Sequence, residues 1–159
     1  MFLKDEILKK VDILYAMWKQ GLLGGEVMPE DSNPGLPQES LENYLYFTLP
    51  MALNYQRNSY ELWKAANKTY QDKETRFVFF PKEVLEHSFL EVQAALIKYK
   101  VALQKNKQTE IWIALCQTFV DFFDGDIRKL FDTFHNDVDK IREFVQKKEK
   151  KRFPYLSGT

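Results

Sequence analysis

Thr109-Glu-Ile-Trp-Ile-Ala-Leu-Cys-Gln-Thr-Phe-Val-Asp-Phe-Phe123 decides the fold class. Its Ile111, Trp112, Leu115, Cys116, Phe119 and Phe122 recur at intervals of three and four, the period of one face of an α-helix. Gly125 stands where such a helix should end. The same period extends to both sides. Upstream, Ser88-Phe89-Leu90-Glu91 has the form of a capping box and opens a helix to about Tyr99. Pro81 suits the first position of a short helix through Leu85. Phe77-Val78-Phe79-Phe80 has strand composition, but no partner strand is evident, and a lone strand is not stable. Ser59 to Tyr70 is helical, with Tyr60, Trp63, Ala66 and Tyr70 on one stripe. Ser40 caps a helix that runs to about Asn54, apolar nearly all round and kinked at Pro50. Downstream, Ile127 to Phe134 and Asp137 to Lys148 make two more helices, joined at His135-Asn136.

The N-terminal end differs. Residues 3 to 20 form a helix with Leu3, Ile7, Val11, Leu14 and Trp18 on one stripe, and Gly21 fits its C-terminal cap. Residues 21 to 37 then hold four of the six Gly and three of the six Pro. A loop this long makes the first helix an arm rather than part of the main core. The reading is all-α: seven or eight short helices packed orthogonally, with no sheet. Residues 1–37 form an N-terminal helix and Gly/Pro-rich loop, and 38–159 one helical domain.

Composition bounds the function. A chain of 159 residues is near the modal size of one domain. Aromatic content of 15% excludes a disordered chain. A single Cys, Cys116, excludes an internal disulfide framework and any multi-cysteine metal or iron–sulfur site within these residues. No run is apolar and long enough to span a membrane, and Met-Phe-Leu-Lys-Asp-Glu-Ile-Leu is not a signal peptide. The expected setting is cytoplasmic. The 23 basic and 23 acidic residues cancel, but unevenly. From Lys147 onward five cations face one Glu, an excess of +4 that leaves −4 on the preceding 146 residues. A uniformly basic nucleic-acid binder is excluded, and a basic patch near the C-terminus is not.

The chemistry-bearing residues are few. His87 and His135 have no partner at metal-ligand spacing. Asp121, Asp124 and Asp126 lack the alternation of a calcium loop. Cys116 lies on an apolar helix face and reads as core. There is no phosphate-binding glycine loop and no nucleophile with a base. The chain shows no catalytic residue, no metal site and no cofactor motif. Two segments stand out instead. In Leu53-Asn54-Tyr55-Gln56-Arg57-Asn58-Ser59-Tyr60, amide and guanidinium heads sit at the junction of two apolar helices. Gln56, Arg57 and Asn58 are suited to base edges and to a gap in a base stack. The second segment is the C-terminal run with Lys147, Lys148, Lys150, Lys151 and Arg152. It leads through Phe153-Pro154-Tyr155 to Leu156, Ser157 and Gly158. A turn whose amides are exposed by a glycine beside lysines can hold a phosphate, and a frayed basic tail is the alternative reading of the same run.

The order of these elements resembles the helix-hairpin-helix DNA glycosylase superfamily, the endonuclease III-like group. The helix of Tyr44 to Asn54 and the loop with Gln56 resemble that family's buried helix and polar Gln loop. Pro81 to Leu85, Ser88 to Tyr99, Thr109 to Phe123 and Asp137 to Gln146 resemble the helices that follow. Phe153 to Gly158 resembles the approach to the DNA-binding hairpin, although Leu156 stands where a first hairpin glycine is usual. The likeness covers about residues 40 to 159. It implies binding of duplex DNA through Leu156, Ser157 and Gly158, with Gln56 entering the stack near a flipped base. The family's catalytic Lys and Asp and its iron–sulfur loop would lie beyond Thr159. On this resemblance the chain is the first half of a larger glycosylase or a degenerate relative, not catalytic by itself. The expected function is a DNA-binding helical domain of DNA repair without the catalytic half, in the nucleoid when bound. The alternative is a non-enzymatic interaction module, taking a protein partner or a second copy on an apolar patch of the first helix. Its motivation is the aromatic excess and the body charge of −4.

Overall fold

Apolar side chains at helical spacing form eight α-helices and no strand among the described residues of the computed structural model. These are residues 2–23 and 28–156, with side chains described from residue 5. The helices are α1 (Phe2–Lys19), α2 (Leu41–Thr48), α3 (Ser59–Gln71), α4 (Pro81–Glu86), α5 (Phe89–Lys98), α6 (Lys105–Phe123), α7 (Arg128–Thr133) and α8 (Val138–Glu143). The all-α reading holds. No helix among these residues is long and apolar enough to cross a membrane.

The central helix is α6, which packs against α4, α5 and α7. It begins one turn before Thr109. That turn, Lys105 to Gln108, carries no apolar residue by which periodicity could mark it. It is held instead by the buried Gln108, whose side-chain oxygen accepts from the Leu103 and Gln104 amides at 2.5 and 3.0 Å. These amides lie just before the helix, where no helical carbonyl can accept from them. Ile111, Trp112, Leu115, Cys116 and Phe119 face inward as the spacing predicts. Phe122 does not: it is 41% exposed, and Phe123 takes the buried place. Asp124 and Gly125 then both adopt left-handed backbone, with φ of 54° and 79°, and end the helix.

The strand-like Phe77-Val78-Phe79-Phe80 is a 3-10 turn over Arg76–Phe79. Trp112 explains why: its buried indole N–H donates to the Val78 carbonyl at 2.7 Å, a bond that a sheet would have supplied otherwise. Phe79 stacks on Tyr46 at 5.4 Å, and Trp63, Tyr70 and Trp112 complete an aromatic core. Much of the aromatic excess is therefore packing. At about 1.5–3 kcal/mol for each large side chain removed from water, this cluster is a main source of stability.

Two helices end earlier than their apolar pattern. In α2, Ser40 caps the start by accepting from the Asn43 amide at 3.2 Å. The expected kinked helix through Asn54 instead stops at Thr48 and tightens into a 3-10 turn over Pro50–Leu53. Pro50 has no N–H to continue the ladder. Similarly, α8 stops at Glu143 and gives way to a π-turn over Phe144–Lys148. Ser88 and Glu91 form the predicted capping box of α5.

Beyond the π-turn the chain stays attached. Phe153 is buried among the rings of Phe119, Phe122 and Phe144. The Thr118 hydroxyl donates to the Arg152 carbonyl at 2.6 Å, and Arg152 pairs with Asp121. At the other end, the Tyr46 hydroxyl donates to the Ser32 carbonyl at 3.2 Å and Leu36 packs on the core. From residue 5 to residue 20, α1 and its cap keep every side chain exposed except the half-buried Met17.

Candidate nucleic-acid interface

The polar segment after α2 is a fixed loop, and its three singled-out residues do different things. Asn58 caps α3: its side-chain oxygen accepts from the Tyr60 and Glu61 amides at 2.9 and 3.4 Å. Arg57 reaches across to the turn between α5 and α6. Its guanidinium donates to the Val101 carbonyl at 2.6 Å and to the Lys100 carbonyl at 3.0 Å. Partial burial lowers the Arg57 pKa and the charge of Glu61 works against that. An arginine so far above neutral pH stays charged. Gln56 has no such duty. It is exposed and held at φ 52°, a left-handed backbone that costs a non-glycine residue about 1–2 kcal/mol.

The cations of the C-terminal run divide in the same way. Lys147, Lys150 and Lys151 are exposed and have no ion-pair partner among the described residues. Lys148 lies 3.8 Å from Glu143 at the surface, a contact of little energy. Arg152 is spent on Asp121, with its guanidinium 5.3 Å from the centre of the Phe122 ring. Leu156 packs on the core. Ser157 and Gly158 lie outside the described residues, so the phosphate-binding turn expected there does too.

The two segments meet. Tyr55, the neighbour of Gln56, stacks on Tyr155 with ring centres 4.6 Å apart and planes 17° from parallel. The Lys107 ammonium, from the first turns of α6, lies 5.3 Å from the Tyr155 ring and 5.7 Å from the Tyr55 ring. The Tyr155 hydroxyl, and behind it Tyr55, hold the Lys107 ammonium above its ordinary pKa. Tyr155 keeps 45% of its surface exposed. The result is an aromatic ledge beside a lysine, with Gln56 at one side and the free lysines of the C-terminal run at the other end of the same chain segment.

Sequence reasoning missed Tyr55, Tyr155 and Lys107. Both tyrosines were inside the marked segments, but nothing local says that residues so far apart in the chain touch. Backbone conformation gives a second sign of a special place. Six non-glycine residues among those described have positive φ, and Gln56, Lys100 and Tyr155 are three of them, at 52°, 69° and 61°. Such conformations persist where surrounding structure enforces them and gather at functional sites.

In chemical terms the ledge offers stacking, cation–π attraction and positive charge, the means by which aromatic and basic residues hold nucleobases and phosphates. Cys116 is fully buried, and burial pushes its thiol pKa up. No cluster of His, Cys, Asp and Glu able to hold a metal occurs among the described residues. Comparison of the chain with protein-family models, curated proteins and solved structures gives no match.

Proposed function

We propose that this chain is a DNA-binding helical domain that resembles base-excision DNA glycosylases and lacks their catalytic half. The observation that carries the reading is the joining of the Gln56 loop to the C-terminal basic run through the Tyr55–Tyr155 stack beside Lys107. In this reading Gln56 addresses the base stack, Tyr155 offers a ring to a displaced base, and Lys147, Lys148, Lys150 and Lys151 take phosphates with the amides of Leu156, Ser157 and Gly158. Arg57 and Asn58 act behind them by fixing the loop. The test is fluorescence anisotropy with a labelled duplex, intact or carrying a damaged base, at two salt concentrations. Neutralising four phosphates gives a log–log salt slope of about −3.6. Changing Lys147, Lys148 and Lys151 together to Glu should remove most affinity, and Gln56→Ala should change lesion preference more than overall binding. Failure of the unaltered chain to bind either duplex at low salt refutes the proposal.

A second reading rests on a different observation. Ile7, Leu8, Val11, Leu14, Tyr15, Trp18 and Leu22 are each 52–65% exposed. At roughly 100 Å² apiece for half-exposed large side chains, the stripe offers on the order of 700 Å². That is close to the ~800 Å² that each partner contributes to a standard interface. A second copy of the chain, pairing stripe to stripe, is the occupant that this area suits. Sedimentation should then show a concentration-dependent dimer that Val11→Glu with Leu14→Glu abolishes, and a monomer at all concentrations refutes it.

A further inference from the structure

Gln56 also stands at the edge of a cleft of about 690 Å³ formed by α3, the end of α5 and the turn into α6. Its walls carry Arg57, Lys64, Lys68, Lys98 and Lys100 against one carboxylate, Glu61. Five cations in one hollow are unexpected on a body whose first 146 residues sum to −4. Their charges are only partly answered. Lys98 is held by Asp72 at 2.7 Å and Glu74 at 2.9 Å. Lys64 lies 3.4 Å from Glu61, but both side chains are more than half exposed and the pair is weak. Lys68 and Lys100 are exposed and have no ion-pair partner among the described residues. Arg57 has only carbonyl partners, which satisfy its donors without cancelling its charge, and its buried Nε has no partner.

Like charges repel, and a concave, low-dielectric wall strengthens their field toward the opening. Such a site is stabilised by an anion. The shape says which kind. An adjoining hollow of about 510 Å³ shares Lys64, Lys68 and Tyr99 with the cleft, which extends it along α3, and adds one carboxylate, Asp72, already paired with Lys98. Lys64 and Lys68 stand one turn apart on α3, about 6 Å along its axis. A groove with successive cations suits a chain of phosphates better than a single one. Gln56 is one of the residues that line the cleft, and its neighbour Tyr55 forms the ledge.

We propose that this groove holds the phosphodiester backbone of the DNA strand that passes Gln56, with Lys68 and Lys100 as its phosphate contacts. Arg57 is a positioning residue that holds the turn carrying Lys100. The inference rests on the DNA-binding reading and extends its footprint to residues that neither the C-terminal run nor the Gln56 loop includes.

The test uses the full chain with Lys68→Glu and Lys100→Glu combined, and a milder pair with both changed to Gln. Both positions are exposed, so circular dichroism and the melting midpoint should match those of the unaltered chain. Binding of a labelled duplex is measured between about 50 and 200 mM salt. The Glu pair should lose tenfold or more in affinity, and the Gln pair should lower the salt slope by about 2. An unchanged affinity and slope in both variants overturns the groove and leaves the C-terminal contacts standing. Failure of the unaltered chain to bind duplex at any salt overturns both readings. Competition with inorganic tripolyphosphate separates the sources. Loss of tripolyphosphate binding in the variants without loss of duplex binding assigns the groove to a small polyphosphate and overturns the strand.

Discussion

Arg57→Ala removes two hydrogen bonds from the loop that carries Gln56. The bond from Nη1 to the Val101 carbonyl, at 2.6 Å, ends on a fully buried residue. A hydrogen bond from a charged donor contributes about 1.5–3 kcal/mol, and an unsatisfied buried acceptor costs a comparable amount. The bond from Nη2 to the Lys100 carbonyl, at 3.0 Å, lies at the exposed rim and contributes less. Relief from burying part of a charge offsets some of the loss. The net cost is about 2–4 kcal/mol, a large share of the ~5–15 kcal/mol typical of a domain. A chain of this size loses about 3 °C in melting midpoint per kcal/mol, so a fall of about 6–12 °C is expected. Arg57→Lys keeps the charge but cannot fork to two carbonyls, and should fall by about half as much. Differential scanning calorimetry on the three proteins measures this. A midpoint for Arg57→Ala within about 2 °C of the unaltered chain would refute the staple and return Arg57 to the set of residues free to meet DNA.

Three further outcomes follow from the same structure. Gln56→Gly relieves the positive φ at a residue with no packing duty, and should leave stability equal or raise it by up to about 1 kcal/mol in urea titration, after glycine's own entropy cost. Asp72 accepts from Lys98, which is the main cause of its low pKa, and from the Glu74 amide and Tyr99 hydroxyl, and its pKa falls to about 2. Its folded pKa lies below its unfolded value, so its stabilisation is present above pH ~4 and is lost as pH falls toward 2. Acid unfolding of Asp72→Asn should therefore show a flatter fall over that window. Cys116 should resist a thiol reagent in the native protein at pH 8 and react fully once urea unfolds the chain, because it is buried and its thiol is held protonated.

The fold was legible wherever the cause was local. Ser40 and Ser88 cap helices because their oxygens accept from amides three residues ahead. Gly21 and Gly125 end helices because their backbone goes left-handed. Phe77 to Phe80, of strand composition but without a partner strand, forms a 3-10 turn whose Val78 carbonyl accepts from Trp112, in keeping with the reading of no sheet. Errors arose where a distant partner intervened. The first turn of α6 was invisible because a buried glutamine holds it, not an apolar stripe. Phe122 is 41% exposed and meets the distant Phe153 ring, while Phe123 is buried, a division that spacing within α6 does not show.

The site followed the same division. Amide and basic composition marked the Gln56 loop and the run from Lys147. It did not separate Gln56 from Arg57 and Asn58, whose side chains are consumed by carbonyls and a helix end. Nothing in the sequence marked Lys64, Lys68 or Lys100, since no pattern along the chain shows that α3 and the end of α5 face one another.

By itself, then, the sequence determined the helices, most of their caps and the two polar segments. Periodicity, capping and turn preference act between residues a few positions apart. Tertiary structure alone decided that Tyr55 meets Tyr155, that Arg57 is a staple, that five cations share one cleft and that α1 keeps its apolar stripe uncovered. Each of these is a contact, or a missing contact, between residues far apart in the chain, set by how whole helix faces pack and not by any local preference.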